Sequence, residues 1–192
     1  TITTDSSLSY IDQPHILLSD VKKFEIQNCI LGRSIEENGK KTSTVSSSLQ
    51  IINSTGGLVA KNIFRAIIDV EKSNNLKIVN NDFDYASYKQ KVSSNNVLQG
   101  NNIKDDCCYV VSSYYGSDNH FVKNTIDGSW HGTLPYTGNQ PGADNGIFLE
   151  GESNDIISNN TISNVYNTGI ETFGLITNTT FSNNQIDNTG LC

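Results

Sequence analysis

Two glutamates stand in segments that read alike. Asp144-Asn145-Gly146-Ile147-Phe148-Leu149-Glu150-Gly151 aligns with Asn167-Thr168-Gly169-Ile170-Glu171-Thr172-Phe173-Gly174 when Gly151 is set on Gly174. Ile147 then lies over Ile170, Phe148 over Glu171, Leu149 over Thr172 and Glu150 over Phe173. In extended chain, successive side chains point to opposite faces. Ile147, Leu149, Ile170 and Thr172 therefore face one way, and Phe148, Glu150, Glu171 and Phe173 the other. Counting back one unit brings Ser113 and Tyr115 to the polar face, and a further alignment adds Asp69 and Glu71. Carboxylates among aromatic rings suit sugars: rings stack on the apolar faces of a pyranose, and carboxylates accept bonds from its hydroxyls. On adjacent strands about 4.8 Å apart, the backbones of Glu150 and Glu171 would be about 8 Å apart. Carboxyls at about 6.5–9.5 Å suit an inverting glycosidase. A solvated face on an acidic chain is the competing reading of the same pattern.

Other residues join as candidates. Asp144 is a third acid, although beside Gly146 a turn role weighs more than a catalytic one. Trp130 and His131 belong to a long irregular stretch and would either form the rim of a groove or, for Trp130, fold back to pack it. His120 precedes an inward position and reads as a sheet-face residue. A lyase would need a basic residue beside a bound cation. Arg65, Lys89 and Lys91 are the bases near this face, and no dense Asp cluster beside them calls for Ca2+. No metal site and no resident cofactor are expected, and Ca2+ is the cation to consider.

The elements that must carry these residues follow from a returning line. An apolar residue, two residues, Asn, any residue and then Ile or Phe recur as Ile78 to Phe83, Leu98 to Ile103, Phe121 to Ile126, Ile157 to Ile162 and Phe181 to Ile186. The marker residues are Asn81, Asn101, Asn124, Asn160 and Asn184, with weaker copies at Asn28 and Asn53. The steps are 25, 28, 20, 23, 36 and 24 residues. A unit near 24 residues is too short for two helices and fits one coil of a β-solenoid. The runs are short, β-branched and bounded by Gly, Asn and Ser, as strands require, and no segment keeps a 3.6-residue apolar period. Asn tolerates the left-handed corner between strands, and its amide can bond its copy one coil away. Ile103, Ile126, Ile162 and Ile186 should stack inside, with Phe83 at the end. The expected fold is all-β: a right-handed parallel β-helix of about seven coils, one domain over 1–192. Residues 1–20 would cap the first coil, 127–144 form a long loop, and Glu36 to Lys41 form a solvated turn. The C-terminal coil reads as uncapped, so another subunit or more chain should cover it.

Composition narrows the partners. With 13 basic and 20 acidic residues in 192, the net charge is −7, which argues against phosphate neutralisation and hence nucleic acid. No 18-residue apolar run exists to span a membrane, and the first 20 residues lack the pattern of a signal peptide. Four cysteines, Cys29, Cys107, Cys108 and Cys192, show no zinc spacing. On a strand, Cys107 and Cys108 would point to opposite faces and not bond, so buried free thiols are the plain reading.

The segments 144–151, 153–162 and 167–174 resemble the right-handed parallel β-helix repeats of the pectin-lyase-like superfamily, over roughly residues 20–190. The resemblance implies a scaffold shared by polysaccharide lyases, glycoside hydrolases, uronate epimerases, tailspikes and adhesins. It supplies no catalytic motif: Asp12-Gln13-Pro14-His15 only approaches the Asp-Pro-His signature of alginate epimerases. Two functions are expected. The first is a secreted or cell-surface protein that binds or processes polysaccharide on an outward sheet, with Glu150, Glu171 and Asp144 as acids and Phe148, Phe173, Tyr115, Trp130 and His131 as sugar contacts. The alternative is a non-catalytic structural or adhesive protein that assembles through its last coil, as a homo-oligomer or end to end.

Overall fold

A computed structural model describes residues 14–32, 34–37, 40–43, 47–130 and 142–190. Among these, the chain winds as a right-handed parallel β-helix in three seven-stranded parallel sheets. Each coil contributes one strand to each sheet. The first sheet holds Ile16–Ser19, Leu49–Ile52, Ile68–Glu71, Tyr88–Lys91, Tyr109–Tyr114, Asn145–Glu150 and Thr168–Phe173. The second holds the three-residue strands from Glu25–Gln27 to Thr180–Ser182, and the third runs from Ile30–Leu31 to Gln185–Thr189. Two further strands, Ser34–Glu37 and Lys40–Ser43, pair antiparallel, so Glu36, Glu37, Lys40 and Lys41 of the stretch read as a solvated turn lie on strands.

The core consists of rows of like residues. Phe64, Phe83, Ile103, Ile126 and Ile162 stand in register in the third sheet, with Ile186 next. All but Ile186 are buried. Val59, Ile78, Leu98, Phe121 and Ile157 form a parallel row in the second sheet. Each such side chain stabilises the coil by about 1.5–3 kcal/mol through burial.

The corners correct the reading of the markers. The left-handed residue is the one before each marker: Lys61, Asn80, Gly100, Lys123, Asn159 and Asn183, all with φ between 54° and 64°. The marker itself turns inward. The Nδ2 of Asn62 donates to Oδ1 of Asn81 at 3.1 Å, Asn81 to Asn101 at 3.0 Å and Asn101 to Asn124 at 3.1 Å. Asn124 donates to Asn160 at 3.0 Å and Asn160 to Asn184 at 2.9 Å. The second hydrogen of each amide goes to a strand carbonyl, such as Ile78 O for Asn101 and Leu98 O for Asn124. A buried backbone turn needs its polar groups paired, and one amide does this for two coils at once. Asn28 and Asn53 are not members of this row. Both take left-handed corners, at φ 56° and 48°, and Asn62 is the member the spacing missed.

Candidate functional site

The aligned register holds on the first sheet. Ile147 pairs with Ile170, Phe148 with Glu171, Leu149 with Thr172 and Glu150 with Phe173. The coil before pairs Ser112 with Phe148, Ser113 with Leu149 and Tyr114 with Glu150. Ser112 and Tyr114 therefore share the outward face, and Ser113 points into the coil, buried. This shifts the expected placement of Ser113 and Tyr115 by one residue. The reason lies at the corner: Tyr115 takes φ 57°, where the next coils have Gly151 at 64° and Gly174 at 71°. Gly116, which looks like the equivalent of Gly151, sits one step later and donates its N–H to Glu152 Oε1 at 2.9 Å. Asp69 and Glu71 do reach the face, in register with Lys89 and Lys91.

Aromatic rings make a platform here. Tyr109 lies nearly parallel to Phe148, centroids 4.5 Å apart and planes 13° apart, and Tyr114 meets Phe148 at 5.6 Å with its plane tilted by 47°. Phe148 itself is only 7% exposed. It supports the two tyrosines, which are the rings that meet solvent. Neither tyrosine stood out from the spacing; pairing Tyr109 with Asn145 and Tyr114 with Glu150 required the corrected register.

The carboxylates flank this platform, turned away from each other. Glu171 Oε2 accepts a bond from Asn145 Nδ2, toward the start of the strand. Glu150 Oε1 accepts one from the Tyr115 hydroxyl, at the corner after its end. Asn145 and Tyr115 occupy levels six residues apart along the strand direction, a span of roughly 20 Å of backbone. The two carboxylates thus take their hydrogen bonds from partners at opposite ends of the strand. Asp144 is exposed; its N–H donates to Cys108 O at 2.6 Å and its carbonyl accepts from Asn167 N at 2.7 Å. Burial raises the Tyr109 phenol above its ordinary value, with Tyr114, Glu171 and Asp144 adding to the shift. Tyr115 is raised first by its bond to Glu150. Both phenols stay protonated at neutral pH, and that of Tyr115 donates to Glu150.

The other candidates are dispersed. Trp130 is folded back, 3% exposed and edge-on to Tyr166 at 6.2 Å, so it packs the base of the loop and forms no rim. His131 lies outside the described residues. Phe173 is 62% exposed beyond Glu150. His120 is on the second sheet, in register with Val97 and Ile156, and Arg65 lies 3.8 Å from Asp84. A shallow groove of about 480 Å3 on the second sheet, lined by Lys23, Phe24 and Lys77 among others, includes none of the candidates.

Beneath the platform runs a buried polar chain that the sequence reading missed. The Tyr88 hydroxyl donates to Gln90 Oε1 at 2.8 Å, Gln90 Nε2 to Ser113 Oγ at 2.7 Å and Ser113 Oγ to Glu152 Oε1 at 2.8 Å. Asn119 Nδ2 donates to Glu152 Oε2 at 3.2 Å. Glu152 occupies space that Gly116 leaves open, since a Cβ there would lie 3.1 Å from its Oε2. Asp155, equally buried, accepts from Asn119 N at 2.8 Å, where Asn119 in turn accepts from Asn96 N. Burial first, and then Glu152 and Asp118, push Asp155 up to about 7. The signal was present in the spacing: Asp155 stands where the preceding coils have Asn96 and Asn119.

Cys107 and Cys108 lie in a bend before Tyr109, on no strand, and both are exposed. This corrects the expectation of buried thiols on opposite faces. Among the described residues, no group of three or more His, Cys, Asp or Glu side chains could hold a metal ion. No helix among them is long and apolar enough to cross a membrane.

Comparison with solved structures bears on the fold. A double mutant of the periplasmic alginate epimerase AlgG matches at TM-score 0.57 and 11% identity, covering 93% of this chain and 48% of that one. Unmutated AlgG matches at TM-score 0.49 and 12% identity, covering 93% and 47%. The chain spans about half the length of these structures, and at 11% identity the first shows a shared fold alone. No curated protein matches the chain. One family model, described as periplasmic copper-binding protein (NosD), matches residues 1–190. Matched over nearly its whole length, the chain belongs to the NosD family of right-handed β-helix proteins.

Proposed function

We propose that the chain is a single-domain β-helix, secreted or at the cell surface, that binds polysaccharide on the outward face of its first sheet. The observation that carries this reading is the Tyr109–Phe148–Tyr114 platform with a hydrogen-bonded carboxylate at each end. The Tyr109 ring, stacked on Phe148, offers a sugar an apolar face, and the tilted Tyr114 ring borders it. Glu150 with Tyr115, and Glu171 with Asn145, offer acceptors and donors to its hydroxyls. The periplasmic description of the family agrees with such a location. Any acid–base step on this face falls to Glu150, Glu171 or Asp144, the carboxylates nearest the rings.

The copper in the family's description finds no matching donor set among the described residues. Only Cys107 and Cys108 bring two soft donors together, and burial and the neighbouring Cys108 push the Cys107 thiol up to about 12, against the thiolate that copper prefers. No step is routed through a metal.

A glycan array with a reducing-end product assay tests the reading. Alginate belongs on it because a matched structure is named an alginate epimerase. Retention of a polysaccharide that Tyr109→Ala abolishes is expected. Absence of any retained glycan, or binding indifferent to Tyr109→Ala, overturns it.

A second reading is a structural or adhesive protein on the same β-helix scaffold. Rods longer than one molecule by electron microscopy would favour it, and single particles at high concentration would remove its support.

A further inference from the structure

The bend at Cys107 and Cys108 is not used by the binding face as described, yet it holds part of that face in place. The Cys108 carbonyl accepts the N–H of Asp144 at 2.6 Å and that of Asn145 at 3.2 Å. These are the residues on which the chain re-enters the first sheet after the long loop. Tyr109, whose ring lies on Phe148, follows immediately. The bend is itself pre-formed: Asp105 Oδ1 accepts the N–H of Asp106 at 2.8 Å, and Cys108 takes a left-handed φ of 55°. Within it the two sulphurs are in contact at 2.6 Å, and both residues are exposed.

We propose that Cys107 and Cys108 form a disulfide between neighbouring residues, and that this ring is the redox-sensitive hinge that seats Tyr109, Asp144 and Asn145 on the first sheet. Neighbouring residues on a strand cannot close such a bond, because their side chains diverge. A bend with one left-handed residue brings them to the same side, and that is the backbone present here. The family's periplasmic description places the pair where disulfides form and persist. Burial first, then Cys108, and last the carboxylates of Asp105 and Asp106 disfavour a thiolate at Cys107, whereas a disulfide carries no charge. Because adjacent Cα atoms are about 3.8 Å apart, closer than the usual 4.4 Å or more across a disulfide, the bond is strained and readily reduced.

Closure is an exchange with a disulfide oxidant. One cysteine, as thiolate, attacks the oxidant's disulfide, forms a mixed disulfide and releases one thiol. The neighbouring sulphur loses its proton and displaces the second thiol. Two electrons and two protons leave the pair, and the oxidant becomes two thiols.

The full chain is treated with oxidised glutathione, alkylated without reductant and digested with trypsin. Residues 105–123 fall between Lys104 and Lys123 and contain no cysteine but this pair. That peptide should appear lighter by two hydrogens and carry no alkyl group, and mild dithiothreitol should restore two alkylated sites. Two alkylated cysteines after oxidation, or a link from this peptide to Cys29 or Cys192, overturns the proposal. The hinge is read from the near-ultraviolet circular dichroism of tyrosine. Dithiothreitol should change it in the wild type and leave it unchanged in the Cys107→Ser/Cys108→Ser variant, with the far-ultraviolet spectrum confirming the fold of both. An equal change in both proteins, or none in the wild type, overturns the hinge.

Discussion

Tyr109 rests on Phe148 with the two rings nearly parallel, and only the tyrosine meets solvent. A ring pair of this kind contributes about 0.5–1.5 kcal/mol beyond its burial. Phe148→Ala should therefore do two things at once: cost about 3 kcal/mol of stability as a buried aromatic is removed, and weaken glycan retention by unseating Tyr109. Tyr109→Ala should weaken retention with a smaller loss of stability. Thermal unfolding beside a binding assay separates the two, and equal binding by both variants and the wild type would count against the platform.

Glu150 and Glu171 serve opposite ends of that platform. Glu150→Gln and Glu171→Gln should each weaken binding several-fold, and because the sites are separate the losses should add in the double variant. If turnover is found, a paired-acid mechanism would make one substitution as damaging as both. Single and double variants in the product assay distinguish the cases.

Asp155 gives the chain a pH dependence. Its folded value of about 7 lies above the ordinary one, and that of Asp105, raised chiefly by burial, is about 6. The folded state therefore holds protons that the unfolded state has released. Their contribution is complete below about pH 4 and is lost as the pH rises through about 6 to 7. Melting temperature should fall over that interval. Asp155→Asn restores the residue type of Asn96 and Asn119 and removes a buried oxygen, Oδ2, that has no hydrogen-bond partner. It should raise stability at pH 8 by about 1–3 kcal/mol and flatten the profile; an unchanged slope would assign the effect elsewhere.

Asn101 donates to Asn124 and to Ile78 O while its Oδ1 accepts from Asn81 twice. Asn101→Ala strands buried partners above and below, each worth about 1–3 kcal/mol. A loss of about 3 kcal/mol in denaturant unfolding is expected, and Asn101→Asp should not rescue it, since a carboxylate cannot donate. A loss under about 1 kcal/mol would contradict this accounting.

The coil repeat was legible in the sequence because inward side chains must match their neighbours above and below, as Phe83, Ile103, Ile126 and Ile162 do. The outward register between Asn145–Glu150 and Thr168–Phe173 was legible for the same reason, with Gly151 and Gly174 marking the same corner. It failed one coil earlier because left-handed corners accept other residues at a cost, and there Tyr115 stands where glycine was expected. The polar chain from Tyr88 to Glu152 was hidden because spacing cannot show that Gly116 leaves room for a carboxylate from the next coil. The contact of Cys107 with Cys108 was hidden because a bend interrupts the alternation on which face assignment rests.

The row of amides from Asn62 to Asn184 has a direction. Between amides, each Nδ2 from Asn62 to Asn160 donates to the Oδ1 one coil later, and none donates to the Oδ1 of the coil before. The rod is therefore polar in the sense of an arrow, with unlike ends. Any further coil that continues the row, from this chain or a second copy, must arrive in the same sense. Assembly along the axis would run head to tail, and such contacts lengthen without closing unless a rotation returns them to a ring.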